Sequence, residues 1–169
     1  MEEIAISLSG GGYRAAMFHL GTLSYLNRIL LPNGKCLLDV VNTISTISGG
    51  SITGLWYMMH VCKGEDIDTC FKSLFRILCN FDLPQYVMNS FLEENNTNNS
   101  LIRETIHFYD EVFFQGQTFG LLMDSVETKH IHHYSANGTD FSNGIAFRFQ
   151  ASRAIQNTKP EFRYGFIGN

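Results

Sequence analysis

No stretch of this sequence stays apolar for the roughly 18 residues that a bilayer-spanning helix needs. Its first residues, MEEIAISLSG, are acidic where a secretory leader would be basic, so the expected compartment is cytoplasmic. Positive charge is also short: 12 Lys+Arg face 16 Asp+Glu, a formal net charge of −4. With no basic stripe to track a phosphate backbone, nucleic acid is not an expected partner. Cys36, Cys62, Cys70 and Cys79 form no C-x-x-C pair, which points to free thiols rather than a metal site or a disulfide framework. Neither glycine cluster is followed by Gly-Lys-Ser/Thr, which excludes a P-loop. The Asn-x-Ser/Thr triplets at Asn95, Asn98 and Asn137 stand without a leader and are read as chance.

What is present is a chain of 169 residues, 44% hydrophobic, enough to bury one core and expected to form a single domain over residues 1–169. Residues 4–8 read as a short buried strand. After the glycines, Ala16, Leu20, Leu23, Leu26 and Leu30 recur at helical spacing over residues 13–31, and Pro-Asn-Gly at 32–34 stops the helix. The β-branched run DVVNTISTIS then repeats the pattern, ending in Gly49 and Gly50 before SITGLWYMMHV resumes as a helix. Strand, tight turn and helix repeated in this way make a parallel βαβ unit with a right-handed crossover.

Further on, Ile67, Phe71, Leu74 and Leu78 mark another helix, and EENNTNNS is an exposed polar loop. Either Leu101, Thr105, Phe108 and Val112 or Ile102, Ile106, Tyr109 and Phe113 form the apolar stripe of the helix after it. KHIHHYSANGTDFSNGIAFRFQAS reads as two strands around a loop containing Asn-Gly, with His130 and His132 on one strand face. That His pair lacks a third ligand nearby, so a polar strand face is favoured over zinc.

The chemistry concentrates at the two glycine turns. Ser48 stands where the second strand gives way to its helix, the place of a nucleophile elbow. In the G-x-S-x-G pattern Gly50 supplies the last glycine, Ile47 and Gly49 flank the serine, and Thr46 replaces the first glycine. The competing reading is that Ser48 or Ser51 merely caps the helix. A serine nucleophile needs backbone donors for an oxyanion, and Gly10, Gly11 and Gly12 after the adjacent strand can present them. Gly10, Gly12 and Ala15 also fit the dinucleotide fingerprint G-x-G-x-x-G/A, the mark of an oxidoreductase. That alternative wants an acidic residue at the end of the second strand, where Ser48 stands instead, and leaves Arg14 unexplained.

LSGGGYRAAMFHLGTLSYL followed by ISTISGGSITG resembles the patatin-like phospholipases, over about the first third of the chain. The resemblance implies a three-layer α/β fold with a mainly parallel central sheet, incomplete at its C-terminal side. It also implies a lipid or phospholipid ester substrate, transient contact with a membrane surface, and no metal or cofactor. It assigns Gly10, Gly11, Gly12 and Arg14 to the oxyanion-hole turn and Ser48 to the nucleophile of a Ser-Asp dyad. The family's D-G-G or D-G-A aspartate is missing: Asp39, Asp110, Asp124 and Asp140 are all followed by other residues. The dyad's acid is therefore expected outside this chain, and a catalytically inactive lipid-binding module is the alternative. A histidine base in place of the aspartate would be His19, His60, His107 or a member of the KHIHHY cluster. Trp56, Tyr57, Met58 and Met59 either contribute to an acyl-chain pocket or a membrane-facing rim, or are the buried side of the helix behind the sheet.

Overall fold

The computed structural model describes residues 4–80, 82–92, 100–154, 159 and 161–166. Strand β1 (Ile4–Leu8) leads through α1 (Gly12–Leu26) and a 3-10 turn (Leu37–Val40) into β2 (Val41–Ile47) and α2 (Gly49–Lys63). Helices α3 (Ile67–Asn80), α4 (Leu83–Phe91) and α5 (Leu101–Phe108), a π-helical turn (Tyr109–Phe114) and α6 (Gly120–Thr128) follow. Strands β3 (His133–Asp140), β4 (Ile145–Ser152) and β5 (Glu161–Phe166) complete the described chain.

The strands form one sheet in the order β1-β2-β3-β4-β5. The β1–β2 and β2–β3 pairs are parallel, and β3–β4 and β4–β5 are antiparallel. Four strands therefore point one way and β4 alone runs against them, an α/β sheet of mixed pairing. Right-handed crossovers that step steadily from β1 to β2 to β3 put their helices on the same face. Burial follows that rule. Leu8, Ile44, Thr46, Tyr134, Ala136 and Ala151 are buried on the helix-covered face, while the alternate positions are half-buried or exposed. Those alternate positions align across the sheet as Ser7, Ser45, Ser135, Gln150 and Arg163, so the second face is polar. The core joins the covered face to α1, α2 and α3 through Leu20, Leu23, Met58 and Leu74. Each such side chain contributes about 1.5–3 kcal/mol relative to exposure.

Several boundaries differ from the sequence pattern. Helix α1 ends at Leu26, not Leu31, because the 32–34 turn folds the chain back on itself. Leu31 N–H then donates to Lys35 O and Leu37 N–H to Ile29 O, bonds that a continuing helix would take. Neither expected stripe after residue 100 is the buried face. The π-helical turn shifts the register so that Phe108 and Phe113, five apart, are buried while Leu101, Ile102 and Ile106 are exposed. His130 and His132 precede β3 instead of lying within it. Of the two Asn-Gly pairs after residue 129, Asn143-Gly144 makes the β3–β4 turn and Asn137-Gly138 lies inside β3. Most of the EENNTNNS loop, residues 93–99, lies outside the described residues, with the sequons at Asn95 and Asn98.

Candidate active site

The β-branched run ending at Ile47 forms β2, and Ser48 follows it with φ 51° and ψ −125° before α2 begins at Gly49. A non-glycine residue there is strained by about 1–3 kcal/mol, and the surrounding packing has to hold it. Capping does not explain the residue: a capping serine adopts the β region and accepts a backbone N–H, whereas Ser48 makes no side-chain cap bond. Its side chain is exposed at the carboxyl edge of the parallel strands, where open α/β sheets place their ligands.

Each glycine of the two turns has its own steric reason. Gly11 (φ 140°) and Gly12 (φ 63°) occupy backbone conformations that side chains disfavour. A Cβ on Gly10 would lie 3.1 Å from Ser48 Cβ and 3.7 Å from Ser48 Oγ, so the first turn sits against the serine itself. Across the interface, a Cβ on Gly49 would lie 2.1 Å from Gly12 O, and one on Gly50 would lie 2.2 Å from Leu8 O. The glycines thus allow the two strand-to-helix turns to touch, backbone against backbone. The N–H groups of Gly10 and Gly11 have no backbone acceptor among the described residues, and the first N–H groups of α1 lie beside them without intrahelical partners. Such donors next to an exposed serine are what an oxyanion requires. Arg14 projects from the first turn of α1 and is exposed.

Thr46, the departure from G-x-S-x-G, is accommodated from the other side. A Cβ on Gly54 of α2 would lie 2.5 Å from Thr46 Cγ2, so Gly54 leaves the space that the threonine methyl fills. The Thr46 hydroxyl donates to Ser135 O at 3.1 Å. Its single proton is then in use, so Ser51 Oγ and Tyr134 OH, each 3.0 Å away, donate to it. Burial pushes the Tyr134 hydroxyl well above its usual range, which keeps it a donor. Gly54 and Tyr134 were not singled out in the sequence. Gly54 stands four residues past Gly50 in SITG, but its partner is visible only in three dimensions.

The other candidates are placed elsewhere. His60 lies near the far end of α2, about 18 Å along the helix from Ser48, with Nδ1–H donating to Trp56 O at 2.8 Å. His107 is on α5 and exposed. His19 is buried in α1, and its Nε2 lies 2.9 Å from Ser9 O. Trp56, Tyr57, Met58 and Met59 are all buried in the helix core, the second of the two readings; Met59 also lines a groove of about 150 Å³ with Leu55, Phe114 and Phe119. His132 Nε2 accepts from Arg153 Nη1 at 2.9 Å, and burial pushes the His130 imidazole below its usual range. Among the described residues no three His, Cys, Asp or Glu side chains cluster as a metal site. Asp140, on the same sheet edge as Ser48, is engaged in the β3–β4 turn. It accepts from Ser142 N–H at 2.9 Å and Asn143 Nδ2–H at 2.6 Å, the latter holding its carboxyl below the usual carboxylate range.

No helix among the described residues is long and apolar enough to cross a membrane. No curated protein and no solved structure matched the chain when compared with it. The model of the patatin-like phospholipases matches residues 6–156, from within β1 past the end of β4 and across both glycine turns. The chain belongs to the patatin-like phospholipase family, a family of lipid hydrolases.

Proposed function

We propose that this protein hydrolyses acyl esters of lipids or phospholipids with Ser48 as the nucleophile and the turn of Gly10, Gly11, Gly12 and Arg14 as the oxyanion hole. The observation that carries the reading is the positive φ of Ser48, held against the bare α-carbon of Gly10. In this reaction Ser48 Oγ adds to the ester carbonyl carbon while its proton passes to a carboxylate base. The carbonyl oxygen, now negative, accepts from the N–H groups of the first turn. Collapse breaks the bond to the alcohol, which leaves with the proton, and water then releases the fatty acid from the serine ester. The reaction so written uses no metal or cofactor.

The base in this reading is an aspartate of the Ser-Asp dyad. Asp140 is not assigned to it, because its two carboxylate oxygens serve the β3–β4 turn. The dyad aspartate is assigned to a segment outside the 169 residues. Contact with a lipid surface is assigned to the carboxyl edge itself, where Phe141 at the tip of the β3–β4 turn is 99% exposed. Phe141→Ser should weaken co-sedimentation with phosphatidylcholine vesicles, and unchanged sedimentation would remove that assignment. A fluorophosphonate probe, applied to the complete protein with the segment that carries the dyad aspartate, tests the main reading. It should label Ser48 alone, and Ser48→Ala should abolish the label and any ester hydrolysis. Label on another serine would refute it, and a folded protein that binds lipid yet takes no label would favour the inactive lipid-binding module.

A further inference from the structure

We propose that His19 is a positioning residue, holding the Ser9–Gly10 peptide so that the Gly10 N–H faces the substrate oxyanion. The inference rests on the reading of the first turn as an oxyanion hole and names a side chain that aims it. A carbonyl oxygen can only accept, so the 2.9 Å contact fixes a proton on His19 Nε2 and directs it at Ser9 O. The imidazole is 5% exposed and packs edge-on to Phe18, 5.6 Å between ring centroids. A polar ring is seldom buried this far without a specific partner, and Ser9 O is that partner. Ser9 Oγ, at 3.4 Å from the same nitrogen, is a much weaker contact.

The carbonyl is confined from a second direction. A Cβ on Gly50 would lie 2.8 Å from Ser9 O, so the start of α2 closes over the oxygen that His19 holds. No peptide bond of the described chain is cis. In a trans peptide the carbonyl and the following N–H point in opposite directions. Drawing Ser9 O inward, toward α1 and α2, therefore turns the Gly10 N–H outward. That N–H has no backbone acceptor among the described residues, and a Cβ added to its residue would meet Ser48. Gly10 has no side chain to resist rotation of this peptide, so the orientation depends on what grips Ser9 O. Without the imidazole N–H the carbonyl would lose the side-chain donor that holds it against the start of α2, and since Ser9 itself is exposed it would swing toward solvent, taking the Gly10 N–H with it.

The test compares His19→Leu, which fills the space without a donor, with His19→Gln, whose amide N–H can reach the place of Nε2–H. In the complete protein, with the segment that carries the dyad aspartate, fluorophosphonate labelling of Ser48 is resolved into binding of the probe and the rate of the covalent step, and the Gly10 amide is followed by ¹⁵N–¹H correlation spectra. His19→Leu should slow the covalent step by about 10- to 100-fold, a fraction of the loss of a whole oxyanion donor. Probe binding should stay within about twofold, and the Gly10 amide signal should move. His19→Gln should recover most of the rate and return the signal toward its wild-type position. A His19→Leu protein that labels at the wild-type rate overturns the role. So does a folded His19→Gln protein as slow as His19→Leu, since burial rather than the donor would then be what matters; this arm decides even if His19→Leu fails to fold. Wild-type protein that takes no label at Ser48 overturns the hydrolase reading and this role with it. Normal wild-type labelling with an indifferent His19→Leu overturns the role alone.

Discussion

Replacing Gly49 by alanine asks whether contact between the two glycine turns is what builds the site. The added Cβ would stand 2.1 Å from Gly12 O, 2.9 Å from Gly12 C and 3.0 Å from Gly12 N. Real Cβ contacts essentially never fall under 3.0 Å, so the two backbones must part by roughly 0.9 Å. Every atom in the way belongs to the main chain, so no side chain can rotate aside. Gly49 has no positive φ, so the alanine itself is unstrained and the whole effect comes from the collision. Forced overpacking of this kind costs about 1–3 kcal/mol, which for a chain of this size lowers Tm by roughly 2–12 °C. The same displacement carries Gly12 and the donors beside it away from Ser48. A misplacement of about 1 Å in a catalytic constellation costs on the order of 100-fold in rate. Urea denaturation gives the first quantity and the rate of fluorophosphonate labelling the second. Gly138→Ala serves as the control, because nothing lies within 4 Å of its Cβ position. If Gly49→Ala unfolds at the wild-type midpoint, the turns do not touch as described. If it is destabilised yet labels at the wild-type rate, the first turn does not supply the oxyanion donors.

Three further outcomes follow from the same geometry. Ser48→Gly removes the cost of a positive φ that Ser48→Ala retains, so it should be more stable than Ser48→Ala by about 1 kcal/mol in urea denaturation, while both lose the label; equal midpoints would show that the elbow is unstrained. Gly21→Ala, exposed within α1 and with nothing within 4 Å of its Cβ position, should raise stability by about 0.4–1 kcal/mol without changing the labelling rate, as seen in the urea midpoint. Burial pushes the hydroxyls of Tyr13, Tyr57 and Tyr134 above their usual range. The unfolded chain therefore loses these protons near pH 10 while the folded one keeps them, so the urea midpoint should be insensitive to these groups below about pH 10 and fall as pH rises beyond it. Tyr134→Phe should make that fall less steep, and an unchanged pH profile would show that Tyr134 ionises alike in both states.

The sequence by itself determined the strand, turn and helix units around residues 4–26 and 41–63, because β-branched alternation, helical periodicity and glycine punctuation are all local signals. It also singled out Ser48, Gly10, Gly11 and Gly12, since a glycine run between strand and helix has few other uses. Helix α4 was not read from the sequence, although its local signals are there: Asp82, which accepts from Gln85 N–H, and Pro84 in the first turn. Strand β5 lacked such a signal: it is short and antiparallel, and its pairing with β4 supplies what its own pattern does not. Only the tertiary structure decided why each glycine is required, because those reasons are distances between backbones far apart in sequence, Gly49 to Gly12 and Gly50 to Leu8. The same is true of Thr46, tolerated because Gly54 leaves room for its methyl and Tyr134 and Ser135 engage its hydroxyl, and of His19, a candidate base in the sequence whose contact with Ser9 O is visible only in the fold. Local pattern reports which face of an element is buried. Which atom meets which across that face depends on how the elements cross, and no single segment encodes the crossing.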